Sequence, residues 1–301
     1  MRTLLFRLLT VLLAFTLVFF LLRMLPGDYF ANQIAQGSLS TDLALRYREQ
    51  LGLDQPLVVQ YLHNIAQYIT GDPGISFAKR VPVAQLLSGA IQPTFLLASA
   101  SLGLAVILGL SLGALAVHHQ AVAGRFFQLL IAILQGMPVY WTATLLIIAT
   151  GLLISPDASS LRSIYEIQLP VLALGLSGAA GIARVTQNAL RQVFYLDAVR
   201  TAHAKGLSET RIFFRHVFRL ALPPILTVIG LQAGFLLSGT VIIEIIFARP
   251  GVGRILYDAV LSRDYPVVQA VVVLSSIIYI LINLLVDLLQ MWADPRVSYR
   301  P

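Results

Sequence analysis

The sequence TFLLASASLGLAVILGLSLGALAV occupies residues 94–117 and contains no charged side chain in 24 positions. A helix needs about 20 mostly apolar residues to cross the roughly 30 Å hydrocarbon core of a bilayer. This stretch is long enough and apolar enough to do so. It therefore predicts that the chain is an integral membrane protein built from helices.

The composition of the whole chain agrees with a membrane environment. Of its 301 residues, 57% are hydrophobic and 12% are charged, and the mean hydropathy is +0.81. A soluble domain has about 45–50% apolar and about 25% charged residues. The composition therefore excludes an ordinary soluble enzyme and a disordered chain. The absence of cysteine excludes thiol catalysis, disulfide bonds and cysteine metal sites.

Five further apolar stretches bring the number of predicted transmembrane helices to six. They are residues 8–25, 127–154, 169–183, 225–247 and 267–291. The first stretch follows two arginines, as in a signal peptide, but no small-residue cleavage site comes after it, so we predict an uncleaved span. The third contains Pro138, and the fourth is short and rich in Gly and Ala, which favours close helix packing.

The basic residues predict the orientation of these spans. With the N-terminus in the cytoplasm, the inner segments are 1–8, 118–126, 184–222 and 291–301. They contain 12 of the 21 Lys and Arg residues and three acidic residues, whereas the outer segments contain nine basic and nine acidic residues. Cytoplasmic loops accumulate Lys and Arg, so both termini are predicted to be cytoplasmic. The net charge of +7 then needs no nucleic-acid partner, and membrane lipid is the expected surrounding.

The spans divide the chain into four predicted regions. Residues 1–25 are the N-terminal segment and first span, 26–93 a small helical extracytoplasmic domain, 94–291 a five-span core with the cytoplasmic loop 184–222, and 292–301 a cytoplasmic tail. In the extracytoplasmic domain, Ser40 and Gly52 are predicted to bound one helix, and Pro56 and Gly71 another. The second of these helices carries an apolar stripe of Leu57, Tyr61, Ile65 and Ile69.

The loop 184–222 carries the local signals of two short helices joined by a turn. Gly206 suits the left-handed position that ends the first helix, with Lys205 in its last turn. Ser208 is placed to cap the second helix, and Glu209 lies at its positive end. The second helix alternates apolar residues with arginines, so an alternative is that it lies on anionic lipid. The small side chains of the first helix favour close docking into a protein groove.

The sequence of this loop resembles that of a known family. The segment from Asp197 to Pro224, with the core RTAHAKGLS at residues 200–208, resembles the EAA loop of ABC-importer permeases. It is most similar to the version in the dipeptide/oligopeptide/nickel permease family. Other matching stretches are LPGD at 25–28, LGLDQP at 51–56, GDPGISF at 71–77, EIIF at 244–247, PGVGR at 250–254, RDYPVVQ at 263–269 and DLL at 287–289. One departure is Arg200, which stands where the general EAA consensus has an acidic residue.

The resemblance implies an all-α permease of the type I ABC-importer kind, in a bacterial cytoplasmic (inner) membrane. Its implied partners are a second permease subunit, two ATP-binding subunits and an extracytoplasmic substrate-binding protein. The residues that would couple this chain to the ATPases are Asp197, Arg200, Thr201, Ala202, Lys205, Gly206, Leu207 and Ser208. The sequence contains no G-x-x-x-x-G-K-[ST] phosphate loop. We therefore expect no cofactor in this chain and no enzymatic activity, with ATP and Mg²⁺ used by the partner subunits.

Two acidic residues lie inside predicted spans. Uncompensated, an ionisable group there costs roughly 2.5–3.5 kcal/mol on insertion scales, which makes Glu244 and Asp287 candidates for the translocation path. The alternative for Glu244 is a structural pair with Arg249 or Arg254, and a structural role is favoured for Asp287. The adjacent His118 and His119 point to different faces of a helix, so no metal site is expected.

Family members similar to this chain carry peptides, nickel or metal chelates, or opine-like compounds. Peptides or related small ligands are the leading prediction. Nickel or metal chelates are the alternative within the family. A stand-alone secondary transporter is disfavoured because no inverted repeat is evident. A membrane hydrolase is disfavoured because the five histidines all fall outside the predicted spans.

Overall fold

A computed structural model describes residues 2–118, 122–153 and 164–293 of the chain. Within these ranges the structure is helical and forms no β-strand, apart from one isolated bridge between Ile75 and Pro82. The predicted all-α fold is therefore confirmed. The chain divides into two compact units, Met1–Pro93 with Pro250–Ile278, and Thr94–Arg249 with Tyr279–Pro301.

The first unit contains the N-terminal helix, the short helices that follow it, and the beginnings of two long helices. Their bounds are α1 Arg2–Met24, α2 Tyr29–Ala35, α3 Thr41–Gln50, α4 Leu57–Ile69, the start of α5 Val83–His118, α12 Val252–Ser262 and the start of α13 Tyr265–Ala293. Gly52 and Gly71 have φ values of +65° and +82° just beyond α3 and α4. Both helices therefore end where the glycines predict, in a conformation that suits residues without a side chain.

Helix α4 packs with a mixed polar and aromatic face inward. Gln60 is buried and accepts a hydrogen bond from Arg23 Nε at 2.9 Å, and Tyr61 packs against Phe19 of α1. By contrast Leu57 and Ile69, the ends of the predicted apolar stripe, are exposed. The middle of the stripe, Tyr61 and Ile65, is half-buried, so only its two ends lie outward.

The second unit contains the remainder of the chain. Its helices are the rest of α5, α6 Val122–Gly136, α7 Val139–Leu153, α8 Leu169–Phe194, α9 Asp197–Ala204, α10 Glu209–Ile212, α11 Phe218–Ile246 and the rest of α13; π-helical turns at Ile164–Gln168 and Phe213–Val217 precede α8 and α11. Helix α8 is buried along most of its length. Glycines bring α5 close to it: a Cβ atom added at Gly113 would lie 2.7 Å from the Ala183 carbonyl oxygen.

Five helices in the described residues are long and apolar enough to cross a membrane, and one bent helix pair makes a sixth candidate. The bent pair corrects the third predicted span. Residues 127–154 do not form one helix, because the chain bends by 105° between Ala123–Gly136 and Val139–Leu152. Pro138 has no N–H to donate and disfavours a helical conformation at Met137, so the helix ends before it.

Two other predicted spans have different bounds in the structure. The fourth continues as α8 to Phe194, so Arg184 and Arg191 lie on a helix rather than in the loop 184–222. The fifth begins at Phe218 and passes through Pro223 and Pro224 without ending. Tertiary packing outweighs the two prolines there, since the flanking Ala221 and Ile225 are both buried in one apolar cluster.

Candidate functional site

The candidate coupling site is the turn formed by α9 and α10. The left-handed conformation of Gly206, with φ +71°, ends α9 as the sequence predicts. Ser208 has the extended backbone of a capping residue, but its side chain makes no capping hydrogen bond to α10. The turn is therefore set by Gly206 rather than by a serine cap.

One face of α9 anchors the helix to its own chain. Val199 and Ala202 are buried, and Leu207 packs against the same apolar cluster from the turn. Other members of this cluster are Ala189, Leu190, Val193, Ile212, Val217, Ala221 and Ile225. Because α8, α10 and α11 all contribute, α9 is held on the ends of the long helices. Helix α9 is therefore packed against both α8 and α11.

The opposite face of α9 is exposed and carries charged side chains. Asp197 and Arg200 are both exposed and form an ion pair of 3.7 Å one turn apart. Thr201 and Lys205 are exposed as well. An exposed pair of this kind contributes only about 0–1 kcal/mol to stability, so these charges do little to hold the fold.

The structure thus places the eight predicted coupling residues in one short segment but divides them into two groups. Ala202 and Leu207 face inward and support the helix, while Asp197, Arg200, Thr201, Lys205 and Ser208 face outward with Gly206 at the turn. Sequence reasoning missed two aromatic side chains next to this surface. Tyr195 and Phe214 are 85% and 65% exposed. The available signal was their position beside the recognised core of the loop.

Glu244 lies on α11 and is fully buried where it meets Thr94 of α5. Thr94 Oγ1 donates a hydrogen bond of 2.6 Å to Glu244 Oε1. Arg249 N donates a backbone hydrogen bond to the Glu244 carbonyl oxygen at 2.8 Å, and the predicted pairing of the two side chains stays a prediction. Burial lowers the pKa of the Arg249 guanidinium, and the negative charges of Glu244 and Glu166 raise it by less. Its Nε has no hydrogen-bond partner among the described residues.

The other singled-out residues are placed as follows. Asp287 lies half-buried on α13, and Arg254 forms an ion pair of 3.5 Å with Asp258 on α12. His118 ends α5, but His119 lies outside the described residues, so the statement about this pair stays a prediction. The described residues contain no group of three or more His, Asp or Glu side chains able to hold a metal ion. Most of the predicted tail 292–301 also lies outside them.

The comparison with known families decides what these helices belong to. Residues 105–299 match the model of the family described as binding-protein-dependent transport system inner membrane component. The chain belongs to this family. Its members are membrane permeases of ABC importers, in which separate subunits hydrolyse ATP. The family predicted from the EAA loop is therefore confirmed.

Curated relatives extend the match to almost the whole permease. The glutathione transport system permease protein GsiC of Escherichia coli (strain K12) is 38% identical over 296 residues, which cover 97% of this chain and 95% of the relative. GsiC of Salmonella typhimurium (strain LT2) shows the same identity and coverage. The match therefore includes the first unit as well as the family segment.

Solved structures confirm the fold. A chain of the MetNI methionine ABC transporter, in an inward-facing conformation, matches with a TM-score of 0.61 at 20% identity and covers 70% of the permease and 97% of that chain. A chain of an amino acid ABC transporter with histidines matches with a TM-score of 0.53 at 15% identity, over 69% and 94%. The permease therefore has the helical fold of ABC-importer membrane subunits.

Proposed function

We propose that this permease forms half of the translocation path of an ATP-driven importer for small peptides. The observation that carries the proposal is the 38% identity to glutathione permeases over 97% of the chain, since glutathione is itself a small peptide. The permease would work with a second, homologous permease subunit, two ATP-binding subunits and an extracytoplasmic binding protein that delivers the ligand.

Coupling to ATP is assigned to the outward face of α9. The sequence contains no phosphate-binding loop, so the energy has to enter through a partner that contacts this chain. The exposed Asp197, Arg200 and Lys205 give such a partner charged groups to bind. The buried Val199 and Ala202 connect α9 rigidly to the ends of α8 and α11. Closure of the ATPases would then move these helices between two discrete arrangements.

The path itself is assigned to the second unit, with Glu244 and Asp287 as candidates for its polar lining. Both termini are proposed to be cytoplasmic because 12 of the 21 basic residues fall in the inner segments. This orientation puts α9 on the side where ATP is available. It also puts residues 26–93 on the side from which a binding protein would approach.

Uptake in cells tests both the substrate and the coupling. A strain lacking the gene is complemented with the wild-type permease or with Gly206→Val, and accumulation of radiolabelled glutathione is measured with similar amounts of protein in the membrane. A β-branched residue at φ +71° is strained by about 1–3 kcal/mol. We expect wild type to restore uptake and Gly206→Val to reduce it at least tenfold.

Gly37→Val is the matched control, because Gly37 has φ +70° and, like Gly206, has open space where the new side chain would lie. It imposes the same backbone strain in the other unit of the chain and should support uptake close to wild type. Equal uptake with wild type and Gly206→Val would refute the coupling assignment. Restored nickel uptake without glutathione or dipeptide uptake would instead refute the peptide assignment.

A further inference from the structure

The first unit encloses a polar cavity that the proposed transport function does not use. Its volume is about 340 Å³, within the range of about 300–1,000 Å³ found for small-ligand pockets. The end of α1, the connection after α3, the inner face of α4 and the start of α13 all contribute to its wall. The polar groups that matter most are Arg23, Gln60, His63, Asn64, Tyr265 and Gln269.

Arg23 brings an unbalanced positive charge to this cavity. Its Nε donates to Gln60 Oε1 at 2.9 Å and its Nη1 to the Phe19 carbonyl oxygen at 3.4 Å. Among the described residues, no carboxylate lies within 4.0 Å of the guanidinium. A guanidinium has five N–H donors, so three of them remain unused. The guanidinium carbon lies 3.5 Å from the centre of the Phe19 ring, which offsets part of the cost of burying this cation, but a buried cation without a counter-ion remains costly.

Gln60 fixes the direction of these unused donors. Its Nε2 donates to the carbonyl oxygens of Leu53 and Gln55, at 3.0 and 2.9 Å. This ties down the amide, so its oxygen is held towards Arg23 Nε. The guanidinium is therefore oriented before any ligand arrives, and ordering it costs a ligand little.

Gln269, which also lines the cavity, has a second unused donor. Its side chain is 1% exposed and its Nε2 has no hydrogen-bond partner in the described residues. Leaving such a buried donor unpaired costs about 1–3 kcal/mol, and native structures contain few of them. Tyr265 and Pro266, which begin α13, also line the cavity. The positive end of that helix adds to the field of Arg23.

The acidic groups nearby do not neutralise Arg23: Asp28, which lines a second pocket with Arg23, is paired with Arg48 at 2.7 Å. Asp264, just before α13, is buried and engaged elsewhere: it accepts hydrogen bonds from Ser76 Oγ at 2.5 Å and from Phe77 N at 3.0 Å. Glu49 is an exposed lining residue. It would repel a second negative charge on a ligand. The balance of charges therefore fits one negative charge and not two.

We propose that this cavity is a binding site for a singly charged oxyanion, with Arg23 and Gln269 as its donors. Two sources have this chemistry, the carboxylate of a small solute and the phosphodiester of a lipid headgroup. Either would supply the counter-ion that Arg23 lacks and the acceptor that Gln269 Nε2 lacks. The site goes beyond the proposed function, since it neither requires ATP nor involves α9.

Binding to the purified full-length permease in detergent tests the proposal without any transport measurement. The first probe is glycylglycine, and glycylglycinamide, which lacks the carboxylate, is its control; affinities are measured by calorimetry. The second uses nanodiscs that contain either phosphatidylglycerol or phosphatidylcholine, with bound lipid counted by native mass spectrometry. In each arm, Arg23→Gln is compared with wild type and with Arg46→Gln, which removes a positive charge from an exposed position on α3.

We expect Arg23→Gln to weaken binding at least tenfold, Arg46→Gln to leave it unchanged, and Arg23→Lys to restore part of it. Gln269→Leu should weaken binding, and the midpoint temperature of its thermal unfolding should stay that of the wild type. Arg23-dependent binding of glycylglycine identifies a solute carboxylate, and Arg23-dependent retention of phosphatidylglycerol identifies a lipid phosphate. If Arg23→Gln changes neither probe while the variant remains folded, the site does not exist.

Discussion

At the scale of single residues, the contact between α5 and α8 depends on two glycines, which have no side chain to keep the helices apart. Gly109 and Gly113 lie one turn apart on α5, and a Cβ atom at either would come within 2.9 Å of a backbone carbonyl oxygen of α8. Small residues at a membrane helix interface let the backbones approach and gain van der Waals contact. The glycines are thus required by packing rather than by backbone conformation.

Gly113→Ala should therefore destabilise the permease although alanine is the better helix former. The added methyl would lie 2.7 Å from both the Ala183 oxygen and Thr186 Cβ, and overpacking of this kind typically costs about 1–3 kcal/mol. Gly103→Ala on the same helix meets no atom within 4 Å and should be neutral or stabilising by about 0.5–1 kcal/mol. Thermal unfolding of both variants in detergent measures the difference, and equal stabilities would contradict the packing argument.

Glu244 shows how far sequence reasoning reaches at this scale. Its position in an apolar stretch was enough to predict a buried carboxyl group. Its partner Thr94 lies 150 positions away, and one hydroxyl among many in apolar helices carries no signal that selects it. Pairing of this kind depends on helix packing, which a single sequence does not encode in any local pattern.

At the scale of elements, α9 is a short helix with two different faces, and the two faces predict different effects of the same substitution. Ala202→Leu inserts three carbons into a closely packed cluster and should cost about 1–3 kcal/mol. Ala198→Leu adds the same group on an exposed position and should change stability by less than about 0.5 kcal/mol. Hydrogen exchange of residues 197–204 and thermal unfolding measure both.

Function should then separate these variants. Ala198→Leu keeps the fold but obstructs the small outward face of α9, so we expect reduced uptake with normal stability. Ala202→Leu should lower both. Full uptake by a stable Ala198→Leu variant would show that this part of α9 does not contact a partner.

The sequence predicted some helices well and others poorly, and the reasons are physical. Long apolar stretches identified α1, α5, α11 and α13, because hydropathy over about 20 residues is a strong signal. The break at Pro138 was mistaken for a tolerated kink, since a membrane helix can accommodate proline when its neighbours satisfy the backbone. The extension of α8 to Phe194 was missed because Arg184 and Arg191 interrupt the apolar stretch, and charged residues at the end of a predicted span are typical of a loop.

At the scale of the whole molecule, the family was recognised from short motifs in order along the chain, and the full-length match to glutathione permeases confirms it. The partition of charge along the sequence is independent of those motifs. It assigns 12 of the 21 basic residues and three of the 14 acidic residues to one side of the membrane. That partition predicts the orientation, which neither the fold nor the family comparison measures.

The absence of cysteine makes the orientation directly measurable. Single cysteines are introduced at exposed positions, Ser38→Cys in the predicted extracytoplasmic domain and Ser208→Cys next to α9. In intact spheroplasts a membrane-impermeant maleimide should label Ser38→Cys and not Ser208→Cys, because a charged reagent does not cross the bilayer. Permeabilisation should make both equally reactive, and the unmodified permease should stay unlabelled throughout. Labelling of Ser208→Cys alone in intact spheroplasts would show that the true topology is the reverse of the predicted one. It would place α9 on the side of the membrane that has no ATP.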